Sequence, residues 1–138
     1  MVNLIQTNES NGVLTVEINR TDKKNALTAV MYNLLCEAFD YASQSPSINC
    51  LLICGNEHCF TAGNDLKDFL AADTDSELPA VKFIKLISQF KKPLVAAVAG
   101  VAVGIGTTML LHCDLVIAAD NSQFKLPFAQ LGLCPEAG

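Results

Sequence analysis

Tryptophan is absent from these 138 residues, histidine occurs only twice, and charged residues make up just 17%. The basic side is the thinner one, with 9 Lys+Arg against 14 Asp+Glu and a net charge of -5. No broad basic face can displace counterions from a phosphate backbone, which argues against a nucleic-acid partner. Cys-x-x-Cys is missing too. Cys36, Cys50, Cys54, Cys59, Cys113 and Cys134 are scattered, and only His58 and His112 could join them. Structural zinc draws its ligands from close pairs, so no metal site is expected. The first residues lack the basic-then-apolar pattern of a signal peptide. The thiols read as small hydrophobes in a reducing compartment, and a cytoplasmic protein is expected.

Aliphatic residues are plentiful. A hydrophobic share of 51% excludes a disordered acidic tail, and the length suits one domain or part of one. Between Pro93 and Cys113 no residue is charged, and Gly100-Val-Ala-Val-Gly104 matches the small-residue pattern of membrane helix pairs. Pro93, Gly100, Gly104 and Gly106 break that stretch into pieces, and no aromatic belt flanks it. A strand, a glycine turn and a short buried helix explain it better, so no membrane partner is expected.

Leu14, Val16 and Ile18 alternate with Thr15 and Glu17, the period of a half-buried strand. Leu4 to Thr7 is expected to pair with it. Thr28 reads as the N-cap of a helix whose apolar stripe is Met31, Leu34, Leu35, Ala38, Phe39 and Ala42. Cys50 to Cys54 predicts a buried strand, and Asp68 to Ser76 an acidic loop. Glu77 to Phe90 predicts a helix with Val81, Ile84, Ile87 and Phe90 inward. Beyond Pro93 the pattern is strand (Leu94 to Val98), glycine turn, short helix, strand (Asp114 to Ala119), with Gln123-Phe-Lys extended. Strands alternating with helices predict an α/β fold.

Two places put small residues after a strand: Phe60-Thr-Ala-Gly-Asn-Asp-Leu66, and Gly100-Val-Ala-Val-Gly-Ile-Gly106 opening a helix. Glycine lets backbone N–H groups approach a bound atom, and a helix start adds unpaired donors. One N–H from each loop could hold a developing oxyanion. The alternative is two tight turns with no ligand. The spacing lacks the third glycine of a dinucleotide fingerprint.

Asn19-Arg-x-x-Lys-Lys-Asn-Ala-Leu27, Phe60-Thr-Ala-Gly-Asn-Asp-Leu66, Ala99-Gly-Val-Ala-Val-Gly-Ile-Gly106 and Cys113-Asp-Leu-Val-Ile-Ala118 resemble, in order and spacing, the crotonase (enoyl-CoA hydratase/isomerase) family. The resemblance runs from Val13 onward. It implies an α/β, crotonase-like (ββα)n spiral core, lacking the family's C-terminal helical region, with residues 1–138 as the N-terminal core of one domain. It also implies an acyl-CoA thioester substrate, no cofactor beyond the CoA of that substrate, and a homo-oligomer, a trimer or dimer of trimers. Carried over by position, the backbone N–H groups of Asn64 and Ile105 would form the oxyanion hole. Lys23, Lys24, Ala26, Ala62, Asp65 and Leu66 would lie along CoA. A solvated Lys23–Lys24 pair is an equally simple account of those two. Thr21 stands where the family often has proline.

Family members that add water carry two glutamates, at positions that correspond here to Thr108 and Phe128. Neither can activate water, so an ordinary hydratase is disfavoured. Leu126-Pro-Phe-Ala-Gln-Leu-Gly-Leu-Cys-Pro-Glu136-Ala-Gly looks instead like the Δ3,Δ2-enoyl-CoA isomerase branch. That resemblance makes Glu136 the catalytic base, with Phe128, Leu131 and Leu133 as an apolar wall of the acyl pocket. A carboxylate in a helix first turn is the simpler reading of Glu136 alone. Asp65, Asp114 and Asp120 are other candidate bases, and Cys134 a weak candidate nucleophile. Rival readings are a non-catalytic acyl-CoA-binding or assembly module, and another isomerase of the same family. The family's further helices complete the acyl pocket, so the 138 residues alone are expected to bind acyl-CoA weakly, turn over slowly and associate through exposed apolar surface.

Overall fold

The computed structural model describes residues 3–73, 75–135 and 137. Glu136 therefore lies outside the described residues. The chain opens with a hairpin, β1 (Ile5–Ser10) and β2 (Val13–Ile18), turned by Asn11 and Gly12 at positive φ. Leu14, Val16 and Ile18 face inward, as their alternation requires. α1 (Ala29–Gln44) follows, with the Thr28 side chain accepting the Met31 N–H at 3.3 Å. Its stripe is buried except for Leu34, which is half-buried. Lys92 closes its far end, donating from Nζ to the carbonyls of Ala42, Ser45 and Ile48.

β3 (Cys50–Cys54) and β5 (Leu94–Val98) run parallel to β2, and β7 (Leu115–Ala118) completes a sheet ordered β1-β2-β3-β5-β7. Cys50 and Cys54 lie on the half-buried face of β3, so that strand is buried on alternate residues rather than throughout. A second sheet is built from three-residue strands, β4 (Cys59–Thr61), β6 (Val101–Val103) and β8 (Gln123–Lys125), all parallel. Of these, β4 and β6 are too short to show a hydrophobic period, and β6 occupies what the sequence reads as a plain glycine turn.

Two further expectations need correction. Asp68 does not lie in a loop: it falls within α2 (Leu66–Leu70), whose start is capped by the Asp65 side chain accepting the Lys67 and Asp68 N–H groups. α3 runs over Pro79–Gln89, and its buried residues are Phe83 and Ile87. Val81 points outward instead, because Phe83 is the larger apolar residue and fills the space against Tyr32 and Phe39, with ring centroids 5.8 and 5.5 Å away. α4 (Ile105–Thr108) continues into a 3-10 turn, Met109–His112. The core joins β1–β3, β5, α1 and α3. Leu115 and Ile117 of β7, and Phe124 of β8, stay about half exposed at the ends of the two sheets.

Candidate active site

The two glycine loops meet. β4 and β6 lie side by side, so the loops that leave them in the same direction are neighbours. Gly63, at φ +91, approaches Val103 so closely that a Cβ there would sit 2.8 Å from the Val103 carbonyl oxygen. A Cβ on Gly106 would meet the Thr61 carbonyl oxygen at 2.9 Å. Only glycine permits these approaches. Asn64 follows Gly63, and Ile105 lies between Val103 and Gly106, so both donors belong to residues that border these two contacts.

Neither the Asn64 N–H nor the Ile105 N–H has an acceptor among the described residues. Several neighbours are engaged: Asp65 N–H donates to the Leu27 carbonyl, Gly63 N–H to the Thr61 hydroxyl, Gly104 N–H to the Lys125 carbonyl, and the Thr107 and Thr108 N–H groups to the Gly104 carbonyl. Two unengaged donors can bind an anionic oxygen without first breaking a bond.

A polar brace sets the first loop. Asn25 is fully buried at φ +55; its Nδ2 donates to the carbonyls of Cys59 and Phe60, both at 3.1 Å, and its Oδ1 accepts the Arg20 N–H at 2.7 Å. The Thr61 hydroxyl, also fully buried, donates to the Asn25 carbonyl at 2.7 Å. Leu27 N–H donates to the Gly63 carbonyl, and Ala62 N–H to the Lys24 carbonyl. The Tyr32 hydroxyl donates to Oδ1 of Asn64. Arg20 Nη1 reaches both the Ala26 carbonyl at 2.9 Å and Asp65 Oδ2 at 2.8 Å. That guanidinium hydrogen bond, with the backbone N–H of Asp68 next in weight, holds the Asp65 carboxyl below its ordinary range.

This arrangement brings Lys24, Ala26, Ala62, Asn64 and Asp65 together around the 20–27 segment. Lys23 and Lys24 are exposed, and Lys24 lines an open groove of about 530 Å³ with Thr21, His58 and Cys59. Leu66 is exposed. Asp65 serves its helix and Arg20, and Asp114 accepts the Leu94 N–H at 2.8 Å, so each already has a structural task. Phe128 is buried, whereas Leu131 and Leu133 are more than half exposed. A small cleft of about 30 Å³ opens beside Asn64, and Leu27, Phe69 and Leu78 are among its walls. Thr108 is 4% exposed, and its hydroxyl is the buried side-chain polar atom without a partner among the described residues. Burial raises the Cys59 thiol, partly offset by Lys24, and pushes Cys113 up to about 11, with Asp114 adding to the rise. Among the described residues no cluster of His, Cys, Asp or Glu could hold a metal, and no helix is long and apolar enough to cross a membrane.

The glycine loops are visible in the sequence, but the brace is not. Asn25, Thr61, Tyr32 and Arg20 act on partners remote in sequence, and the only local signal is an asparagine between Lys24 and Ala26.

Paired backbone donors at the meeting of two parallel βα-type loops form a place where an anionic oxygen could be held. The chain belongs to the enoyl-CoA hydratase/isomerase family, whose model matches residues 8–138. It is 37% identical over 133 residues to enoyl-CoA delta isomerase 2 of Rattus norvegicus, covering 91% of this chain and 34% of that protein. It is 36% identical over 128 residues to the 2,3-dehydroadipyl-CoA hydratase of Escherichia coli, covering 91% of this chain and 50% of the other. The crystal structure of an enoyl-CoA hydratase/isomerase from Pseudoalteromonas atlantica superimposes with a TM-score of 0.93 at 39% identity, covering 98% of this chain and 54% of that one. The fold is thus that of the crotonase family, and the chain spans between a third and about half of these relatives.

Proposed function

We propose that the protein isomerises a 3-enoyl-CoA to the 2-enoyl-CoA. The observation that carries this reading is the pair of unengaged N–H donors, Asn64 and Ile105, beside Thr108, a buried hydroxyl where a water-adding relative would need a carboxylate. The similarity to an enoyl-CoA delta isomerase supports it. The Glu136 carboxylate removes a proton from C2. The electron pair moves into the thioester, and the resulting dienolate oxygen accepts hydrogen bonds from Asn64 and Ile105. Glu136, now protonated, returns the proton to C4; the double bond shifts to C2–C3 and the carboxylate is regenerated. One such preorganised donor is worth about 2.7–4 kcal/mol of transition-state stabilisation, so the pair accounts for a large part of the rate. Lys23, Lys24, Ala26, Ala62, Asp65 and Leu66 bind the CoA portion, and Phe128, Leu131 and Leu133 the acyl portion. The site works in a cytoplasmic homo-oligomer, and needs no metal or separate cofactor.

The test is Glu136→Gln, assayed by the appearance of the conjugated 2-enoyl thioester from a 3-enoyl-CoA. Loss of at least 100-fold in kcat is expected. Retention of the rate removes Glu136 as the base, and formation of a 3-hydroxyacyl-CoA by the wild type overturns the isomerase reading. The exposure of Leu131 and Leu133 favours a second reading, a binding or assembly module. Tight acyl-CoA binding with no turnover identifies it.

A further inference from the structure

Among the described residues, 126–135 and Ala137 are joined to the rest of the fold by few polar contacts. Their backbone hydrogen bonds run from Leu131, Gly132 and Leu133 to Pro127, Phe128 and Ala129, all within the segment. Among the described residues one hydrogen bond leaves it: His112 Nε2 lies 2.7 Å from the carbonyl oxygen of Ala137. A carbonyl can only accept, so Nε2 carries the proton and donates. Ala137 is 5% exposed and packs into the main core, so water does not compete freely for that oxygen. His112 itself ends the helical stretch that begins at Ile105, since α4 passes without a break into Met109–His112. One continuous piece of helix therefore carries an oxyanion donor at its start and the tether to Ala137 at its end. Ala137 is the residue that follows Glu136 in the chain.

We infer that His112 is a positioning residue: it ties the Ala137 peptide, next in the chain to the base, to the helical stretch that begins at the Ile105 donor. The inference rests on the reading of Glu136 as the base. Proton transfer at carbon is sensitive to placement, and a displacement of about 1 Å can cost on the order of 10²-fold in rate. Burying Ala137 already limits motion toward solvent; the directed N–H···O bond fixes the peptide's orientation, which packing alone does not.

The test compares His112→Leu, which fills space but cannot donate, with His112→Gln, whose amide nitrogen reaches about as far as Nε2. Leucine is expected to lower kcat for a 3-enoyl-CoA by 10- to 100-fold with KM within about 2-fold, and glutamine to restore kcat to within about 3-fold of wild type. In the Glu136→Gln background, His112→Leu is expected to add no further loss, since a group acting through Glu136 has nothing left to position. Backbone hydrogen exchange across residues 129–138 is expected to quicken in the leucine variant and not in the glutamine variant, a readout independent of turnover. If leucine leaves kcat unchanged, if glutamine falls as far as leucine, or if exchange is the same in all three proteins, the inference is overturned. If Glu136→Gln retains activity while exchange follows the expected pattern, the base assignment fails and the tether stands as a structural bond only.

Discussion

Asn25→Ala removes three hydrogen bonds at once, those from Nδ2 to the Cys59 and Phe60 carbonyls and that from the Arg20 N–H to Oδ1. Each is worth about 1 kcal/mol net. The Arg20 N–H has no second acceptor among the described residues and is left partly desolvated. Alanine also bears a left-handed backbone less well than asparagine, at a cost of about 1 kcal/mol at φ +55. The total loss is about 3–5 kcal/mol, a large share of a domain's stability of roughly 5–15 kcal/mol. Urea unfolding should be followed by far-UV circular dichroism, because the chain has no tryptophan to report on its fluorescence. Asn25→Gly separates the contributions: it recovers the backbone strain, about 1 kcal/mol, and none of the hydrogen bonds. Asn25→Asp keeps the acceptor for Arg20 but points a carboxylate oxygen at two carbonyls. It should be at least as damaging at neutral pH, and should regain stability on acidification once the protonated carboxyl can donate. An alanine variant within about 1 kcal/mol of wild type, or an aspartate variant without that acid recovery, refutes the brace as the support of the Asn64 loop.

Thr108→Val replaces an unpartnered buried hydroxyl by a methyl of similar shape, and should raise stability by about 1–2 kcal/mol in the same assay; a loss means that the hydroxyl has a partner in solution. Asp65 has a depressed pKa when folded, so its contribution is complete above the ordinary carboxylate value and disappears as pH falls through the lower folded value. Arg20→Gln should flatten that part of the acid limb, and identical limbs in the two proteins contradict the pairing. Cys113, raised to about 11 by burial, should resist a thiolate-selective reagent at pH 8, while the exposed Cys134 reacts first; the reverse order, followed by mass spectrometry, contradicts the packing around Cys113.

Sequence patterns showed the large elements well because each has a period longer than its end effects. The alternation in β2, the stripe and Thr28 cap of α1, and the bounds of β3 and β5 all follow from residues close in sequence. β4 and β6, at three residues each, carry no period, so the sheet that juxtaposes the two donor loops was hidden although both loops were visible. The inner face of α3 went astray for a related reason. Val81 and Phe83 are both apolar, and only the rings of Tyr32 and Phe39 on α1 decide between them. Arg20 and Asp65 are 45 residues apart, and a polar pair at that separation leaves no local pattern to read. The two loops themselves were legible because glycine at Gly63 and Gly104 is a backbone requirement written directly into the sequence, while the choice of Asn64 and Ile105 within them follows from the family resemblance.

In the proposed reaction one carboxylate carries a proton from C2 to C4 while two backbone N–H groups hold the dienolate oxygen. A 3-enoyl-CoA deuterated at C2, incubated with the protein in ordinary water and analysed by NMR, tests it most directly. A 2-enoyl-CoA product with part of the C2 label transferred to C4 is expected, with no such transfer in the Glu136→Gln protein. A product whose C4 hydrogen comes wholly from solvent, or a 3-hydroxyacyl-CoA, contradicts it.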